Sequence, residues 1–102
     1  MYVIKYLKEV SEDFKLLPKE VLAEVKTYIQ QYKIEPFSIS QPLENKFGLN
    51  LKNCRKTYIA NSTYRIVIKI ENHIAKIVLI VAVDKRDKLK AYKEAHKRLT
   101  NT

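Results

Sequence analysis

Cysteine, glycine and acidic residues are all scarce in this chain of 102 residues. Cys54 is the only cysteine, which excludes an internal disulfide and favours a reducing cytoplasm. One cysteine and two histidines far apart in the sequence do not supply the four ligands of a structural zinc site. No group of carboxylates suggests another metal ion. We therefore expect neither a metal nor any other cofactor.

Long apolar runs are missing as well. The longest, Ile77 to Val83, has the length of a buried strand and is too short to span a membrane. Lys5 and Lys8 interrupt the apolar residues near the N-terminus, so the chain does not begin with the layout of a signal peptide. We expect a cytoplasmic protein without a membrane partner, folded as one small domain over residues 1–102.

Positive charge is what the chain has in excess. Lysine and arginine number 20 against 11 acidic residues, giving a formal net charge of +9. Such a charge favours a polyanionic partner, which would be nucleic acid, a membrane surface or an acidic protein. The segment from Lys52 to Lys69 contains basic residues and no acidic one, which suggests a single basic face. A solvated lysine-rich surface would explain the charge equally well.

Hydrophobic spacing and turn residues predict the order β-α-α-β-β-β-α. This is an α+β fold in which an N-terminal helical hairpin packs on one face of a mainly antiparallel four-stranded sheet and a C-terminal helix follows. Ser11 is expected to cap the first helix and Asp87 the last, while residues 34–53 are expected to form a long loop. The predicted strands are Tyr2–Lys8, Cys54–Ala60, Tyr64–Glu71 and Ile74–Val83, and the predicted helices are Ser11–Leu17, Pro18–Lys33 and Lys88–Leu99.

Alternation along the middle strand of the meander separates two faces. Tyr64, Ile66, Ile68 and Ile70 share one face, which should pack under the helices. The opposite face carries the residues Arg65, Val67 and Lys69. We expect that second face to be wet and basic.

Arginine and tyrosine side chains at the ends of apolar strands predict a phosphate site. Arg65 and Arg86 offer planar guanidiniums that hold phosphate oxygens, with Lys56 upstream and Tyr92 on the last helix. Each has an alternative role. Tyr92 shares a stripe with apolar residues and would serve as a core tyrosine. Arg65 would anchor the long loop or pair with Glu71, and Arg86 would pair locally with neighbouring aspartates.

Four segments carry a resemblance to a known family. They are Cys54-Arg55-Lys56, Tyr64-Arg65-Ile66-Val67, Val83-Asp84-Lys85-Arg86 and the C-terminal stretch from Ala91 to Leu99. Together with the order of elements, they resemble the RelE/ParE toxins of bacteria and archaea, and the C-terminal segment is similar to the RelE branch. The resemblance implies a type II toxin–antitoxin toxin that inhibits translation. It implies a metal-independent, ribosome-dependent endoribonuclease (an mRNA interferase), in which a ribose 2′-hydroxyl attacks the adjacent phosphate of mRNA in the A site.

The resemblance also assigns residues. Lys56, Arg65, Arg86 and Tyr92 match the catalytic positions of the RelE branch. Tyr58 stands where the family pattern has a second lysine, so a fixed positive charge is missing there. We expect RNA to contact six residues near these positions: Lys52, Arg55, Tyr58, Lys69, Lys85 and Lys88. The expected partners are a cognate antitoxin, often with an acidic helical tail, and the ribosome with its mRNA.

The reaction requires a particular protonation state or charge of each of these groups. A lysine acts as a base only if its pKa falls, and neighbouring guanidiniums would lower the pKa of Lys56. We expect Lys56 to be the general base, or a bound cation if its pKa stays high. Arg65 and Arg86 would stabilise the phosphorane, Arg86 or a water would protonate the leaving oxygen, and Tyr92 would orient the ribose or stack on a base.

Two alternatives remain at this point. A DNA gyrase-inhibiting toxin of the same fold is a binding inhibitor and has no need of a cleavage site, which counts against it. A non-catalytic domain that binds RNA or the ribosome stays open because Tyr58 stands in place of a lysine.

Overall fold

The computed structural model of the chain describes residues 1–43, 51–72, 74, 76–85 and 90–100. Within these ranges the sheet has five strands in the order β1-β5-β4-β3-β2, accompanied by three helices. The α+β class is confirmed, whereas the predicted count of four strands is wrong. The elements are β1 (Val3–Tyr6), α1 (Val10–Lys15), α2 (Lys19–Tyr32), β2 (Gln41–Pro42), β3 (Cys54–Ile59), β4 (Tyr64–Asn72), β5 (Ile77–Lys85) and α3 (Lys90–Thr100).

The additional strand, β2, lies inside the segment that was predicted to be a loop. Gln41 pairs with Lys56 and Pro42 with Arg55, so this two-residue strand adds an antiparallel edge to β3. So short a strand has no alternation to detect, and proline is compatible with a sheet only at an edge or a bulge. Residues 44–50 of the predicted loop, including Gly48, lie outside the described part of the chain.

The sheet is mixed, because β1 runs parallel to β5 while the other neighbouring strands are antiparallel. The pairing of β4 with β5 is irregular: Val67 lies opposite Ala82, but Ile68 lies opposite Ile80. Val81 is therefore the extra residue of a β-bulge. As a result Val81 and Ala82 both contribute to the apolar cluster on one face, and alternation resumes afterwards.

The helical hairpin packs on the predicted face of the sheet. α2 presents Val21, Val25, Ile29 and Tyr32 at helical spacing, and all four are buried. They belong to one cluster with the isoleucines Ile66, Ile68 and Ile70 of β4. The expected packing of the hairpin is confirmed.

A short chain of hydrogen bonds links α2 to the edge of the sheet. The Tyr32 hydroxyl donates to Thr57 Oγ1 at 2.6 Å, and Thr57 Oγ1 donates to the Ile39 carbonyl at 2.8 Å. Burial raises the pKa of Tyr32 well above its ordinary value, although its hydrogen bond with Thr57 acts in the opposite direction. The neutral phenol is thus fixed between helix and strand.

The second face of the sheet is covered, so the prediction of a wet basic face is wrong. Arg65 is only 2% exposed and Val67 is fully buried. Val67 lies in a second apolar cluster with Tyr92 and Ala95 of α3. The error arose because strand alternation shows which residues share a face but not whether another element covers that face. Here the apolar stripe of α3 has to be buried, and the sheet provides the surface.

Several predicted boundaries also move. α1 begins at Val10 with Glu9 at its N-cap position, and the Ser11 hydroxyl donates to the Lys8 carbonyl, so Ser11 is not the cap. β5 begins at Ile77, because Ile74 is 96% exposed in the turn before it. The predicted Asp87 cap of α3 lies outside the described residues. None of the described helices combines the length and the apolar character needed to cross a bilayer.

Candidate active site

Three of the predicted catalytic side chains meet beneath α3. Lys56 Nζ donates to the Tyr92 hydroxyl at 3.3 Å, and the Arg65 guanidinium carbon lies 4.2 Å from the centre of the Tyr92 ring. All three residues are buried, with exposed fractions of 9% for Lys56, 2% for Arg65 and 4% for Tyr92. We call these three residues the Lys56–Arg65–Tyr92 cluster.

Strand pairing explains why the cluster forms. In the antiparallel register of β3 and β4, Tyr58 lies opposite Arg65 and Lys56 lies opposite Val67. Residues two apart on a strand share a face, so Lys56 and Arg65 point to the side on which α3 packs. Tyr92 completes the cluster from α3, 36 positions after Lys56 in the sequence.

The electrostatics of Lys56 differ from the expectation. Burial by itself lowers the pKa of Lys56, but its hydrogen bonds with the Tyr58 and Tyr92 hydroxyls outweigh that effect, and the pKa ends above the ordinary value. Lys56 is therefore an ammonium at neutral pH. The prediction that neighbouring guanidiniums depress this pKa is wrong for the structure, and the alternative of a bound cation fits.

Tyr58, the residue that departs from the family pattern, contacts the cluster directly. Its ring centre lies 5.0 Å from Lys56 Nζ, within the range of a cation–π interaction. Tyr58 is half-buried on the same face as Lys56. An aromatic ring therefore lies beside the Lys56 ammonium. A lysine at position 58 would instead place a second positive charge there and repel that of Lys56.

The cluster is closed in this structure. The Tyr92 ring stacks on Arg65, and α3 covers the face on which both side chains lie. Because Arg65 is only 2% exposed, an anion reaches its guanidinium only after local movement of the groups that cover it. The cluster therefore offers two cations and a phenol to a ligand. A ligand can contact them only after the cluster opens locally.

Other predicted RNA-binding residues are distributed unevenly. Lys52 and Lys85 are exposed, and Lys69 is half-buried on the face of Arg65, opposite Cys54. Arg86 and Lys88 lie outside the described residues, so neither can be placed relative to the cluster.

Arg55 is not part of this arrangement. It follows Cys54 and precedes Lys56 on β3, so its side chain lies on the opposite face. Arg55 Nε donates to Ser40 Oγ at 2.6 Å, Nη2 donates to the Ser40 carbonyl at 2.8 Å, and the guanidinium stacks on the Phe37 ring. The loop anchor that the sequence suggested for Arg65 is in fact Arg55.

A depression adjoins Lys56 of the cluster at the edge of the sheet, beside β2 and β3. Its volume is about 370 Å³, and it lies between the C-terminal half of α2, residues 38–41 and β3. Lys56, Thr57 and Tyr58 contribute to its wall, and Tyr28 and Gln31 face them from α2. Its size and mixed polarity suit a small polar group beside the cluster.

Sequence reasoning missed Arg98. Its guanidinium is buried and contacts two carboxylates, Asp13 on α1 and Glu94 on α3, at 2.7 Å and 2.9 Å. Hydrogen bonding to Asp13 is the main reason that the pKa of Arg98 is raised, so its charge is permanent. In the sequence, only the spacing of Glu94 and Arg98, four residues apart on a predicted helix, indicates an ion pair. No local pattern indicates the pairing of Arg98 with Asp13, which lies 85 positions away.

Neither a cysteine nucleophile nor a metal centre finds support among the residues that the structure describes. Burial raises the pKa of the Cys54 thiol to about 11, so little thiolate is present at neutral pH. No group of three or more histidine, cysteine, aspartate or glutamate side chains within the described ranges could hold a metal ion.

Comparison with known proteins gives similarity at the level of structure only. No protein-family model matches the sequence, and no curated protein sequence matches it. A mutant of the E. coli toxin RelE in the free state superimposes with a TM-score of 0.73 at 19% identity, covering 96% of this chain and 97% of that chain.

Two complexes contain similar chains. The toxin–antitoxin complex RelBE2 from Mycobacterium tuberculosis gives a TM-score of 0.69 at 24% identity, covering 83% of this chain and 98% of that chain. An archaeal RelE–RelB complex from Pyrococcus horikoshii gives 0.61 at 17% identity, with 85% and 97% covered. The likeness to RelE toxins expected from the sequence motifs is thereby confirmed at the level of the fold: this chain has the fold of the RelE toxins.

Proposed function

We propose that this protein is the toxin of a type II toxin–antitoxin system and cleaves mRNA in the ribosomal A site. The observation that carries the proposal is the convergence of Lys56, Arg65 and Tyr92 within a RelE-like fold. The net charge of +9 supports a polyanionic substrate. None of the groups in the cluster requires a metal ion to act on a phosphate.

In this proposal the cluster stabilises charge on the phosphorus. The 2′-hydroxyl releases its proton to a solvent water as its oxygen attacks the adjacent phosphorus. The bond to the 5′-oxygen breaks, that oxygen takes up a proton, and the products carry a 2′,3′-cyclic phosphate and a 5′-hydroxyl. Arg65 holds two phosphate oxygens with its planar fork, and the Lys56 ammonium neutralises the negative charge that builds up in the phosphorane. Both groups lie in a water-poor site, where their charges act strongly.

Tyr92 orients the attacking ribose. Its hydroxyl accepts a hydrogen bond from Lys56, so its own proton points away from the ammonium and towards the substrate. The phenol then donates to a ribose or phosphate oxygen once its ring has moved off Arg65. This use of Lys56 as a cation replaces its role as general base, because the raised pKa keeps the amine protonated.

Outlying residues complete the RNA interface in the proposal. Arg86 supplies a second guanidinium to the phosphate and assists protonation of the leaving oxygen. The RNA backbone and bases are contacted by Lys52, Tyr58, Lys69, Lys85 and Lys88. Because phosphate contacts release counterions, binding to ribosome-bound mRNA should weaken steeply with salt.

A cognate antitoxin is the second proposed partner, and the cytoplasm is the proposed location. Two of the similar structures are a toxin–antitoxin complex and a RelE–RelB complex. A basic toxin surface is complementary to an acidic tail of the kind that the family resemblance implies. Such a partner would neutralise the toxin by direct binding.

Cleavage of ribosome-bound mRNA by purified protein tests the proposal. Tyr92→Phe removes the hydroxyl that contacts Lys56, and Tyr6→Phe removes an exposed hydroxyl on β1 as a matched control. We expect Tyr92→Phe to slow cleavage at least ~100-fold, the lower end of the range for a positioned proton donor or acceptor, and Tyr6→Phe to leave it unchanged. Full activity of both Tyr92→Phe and Arg86→Ala would refute the site.

One observation favours a second candidate, a non-catalytic domain that binds RNA or the ribosome. Arg65 and Tyr92 are almost completely covered, as they would be if they served the core rather than a substrate. The same assay separates the two. A binding domain would protect ribosome-bound mRNA without producing new ends.

A further inference from the structure

We infer that Arg98 is a positioning residue that fixes α3 and thereby sets Tyr92 against Arg65 and Lys56. The inference rests on the proposed function, since it assigns Arg98 a part in the same reaction without contact to substrate. It concerns a buried ionic network that lies outside the Lys56–Arg65–Tyr92 cluster.

The Arg98 guanidinium makes four hydrogen bonds to residues in the described part of the chain. Nη1 and Nη2 donate to the two carboxylate oxygens of Asp13 at 2.7 Å and 2.8 Å, which is the bidentate fork geometry. Nε donates to Glu94 Oε2 at 2.9 Å, and Nη1 also donates to the Val81 carbonyl at 2.8 Å. A lysine at this position could not form the fork.

These bonds tie α3 to two other parts of the fold. Asp13 belongs to α1, on the opposite side of the sheet from α3, and it also accepts a hydrogen bond from the Val83 amide at 3.0 Å. Val81 is the bulged residue of β5, so the carbonyl that Arg98 reaches lies at the irregularity of the sheet. The network thus joins the C-terminal half of α3, the end of β5 and α1.

Anchoring at Arg98 restricts Tyr92 through the helix. The two residues are six positions apart on α3, about 9 Å along a helix that rises 1.5 Å per residue. Both are buried, Tyr92 in the second apolar cluster and Arg98 against the Val81 carbonyl of β5. With the C-terminal half of α3 held in place, Tyr92 can leave Arg65 for a phosphate by local movement and return to the same position. Without the anchor, the helix can slide or tilt, and Tyr92 loses its alignment with Lys56.

A double-mutant cycle separates positioning from general stabilisation. We expect Arg98→Lys to lower the rate of cleavage at saturating ribosome complex about 10-fold, since it loses charge-assisted hydrogen bonds while keeping the charge. In the Tyr92→Ala background the same substitution should have no further effect, because the group it positions is gone. Lys15→Ala is the matched control, since it breaks an exposed ion pair on α1 at 3.1 Å that does not involve α3.

Cys54 supplies a second readout that does not depend on activity. It is the only cysteine in the chain, 1% exposed, and it lies in the same apolar cluster as Tyr92 and Ala95. Loosening of α3 should expose it, so we expect a thiol reagent to label Arg98→Lys about 10-fold faster than the wild type. The labelling of Lys15→Ala should match the wild type, and circular dichroism verifies that each variant is folded.

Each outcome decides a separate question. Absence of cleavage by the wild-type protein refutes the proposed function, while Cys54 labelling still tests the anchoring of α3. If Arg98→Lys lowers the cleavage rate equally in the wild-type and Tyr92→Ala backgrounds, the positioning role is overturned. Unchanged cleavage by Arg98→Lys would overturn it as well. Unchanged labelling of folded Arg98→Lys would overturn the anchoring itself. If Arg98→Lys does not fold, Asp13→Asn, which keeps an acceptor for the Val83 amide, takes its place with the same expected results.

Discussion

Replacement of Lys56 by arginine and by methionine distinguishes a bound cation from a general base. Arginine keeps a permanent positive charge but cannot accept a proton at neutral pH, whereas methionine has similar length and no charge. If Lys56 acts as a cation, Lys56→Arg should retain most of the cleavage rate. If it acts as a base, both variants should be equally inactive.

The expected loss of cleavage rate in Lys56→Met follows from the position of Lys56 in the structure. Lys56 is 9% exposed and lies 3.3 Å from the Tyr92 hydroxyl, so a phosphate that contacts Tyr92 is within a hydrogen bond of the ammonium. A unit charge about 4 Å away at an effective dielectric constant of about 20 contributes about 4 kcal/mol. Because only part of a charge develops in the transition state, we expect Lys56→Met to slow cleavage ~100-fold to ~1000-fold.

The dependence on pH gives an independent check. The pKa of Lys56 in the folded protein lies above the ordinary 10.5, so its ammonium persists through neutral and mildly alkaline pH and is lost only above that value. Cleavage should therefore show no rise between about pH 6 and 9 that depends on Lys56.

Single-turnover cleavage of ribosome-bound mRNA measures these rates. The control is Lys15→Met, an exposed lysine on α1 whose replacement should have no effect. Equal inactivity of Lys56→Arg and Lys56→Met would refute the cation role, particularly if the wild-type rate rose tenfold per pH unit and the variants lacked this rise.

Two further predictions concern the framework around the cluster. Tyr32→Phe removes the 2.6 Å hydrogen bond to Thr57 and should lower the free energy of unfolding by about 0.5–1.5 kcal/mol in urea denaturation, whereas an unchanged midpoint would show that this bond does not stabilise the fold. Arg55→Ala removes the contacts with Ser40 and Phe37 and should destabilise the protein by about 1–3 kcal/mol while leaving single-turnover cleavage within about threefold of wild type. A large loss of cleavage with unchanged stability would instead place Arg55 in the RNA interface.

Local sequence patterns were sufficient to predict which faces of α2 and β4 are buried together. The helical spacing of Val21, Val25, Ile29 and Tyr32 predicted the buried face of α2, and alternation along β4 predicted which residues share a side. The convergence of Lys56 with Arg65 followed from an antiparallel register that a short turn allows. These features involve residues close in sequence, where periodicity is informative.

What the sequence could not predict depends on contacts between distant segments. The two-residue strand β2 exists only because β3 offers an edge to it, and the bulge at Val81 depends on the pairing with β4. Burial of Arg65 under α3 and the bond from Arg98 to Asp13 join parts of the chain that no local pattern relates. The pKa of Lys56 likewise reflects hydroxyls that arrive from two other positions, Tyr58 and Tyr92.

Mapping of transcript 5′ ends after induction of the protein in cells tests the central claim most directly. We expect new ends at fixed positions within codons of translated messages, each carrying a 5′-hydroxyl, and we expect these ends to become far fewer in Tyr92→Ala and Lys56→Met. Growth arrest with DNA damage and no such ends would contradict RNA cleavage and favour a gyrase-inhibiting toxin of the same fold.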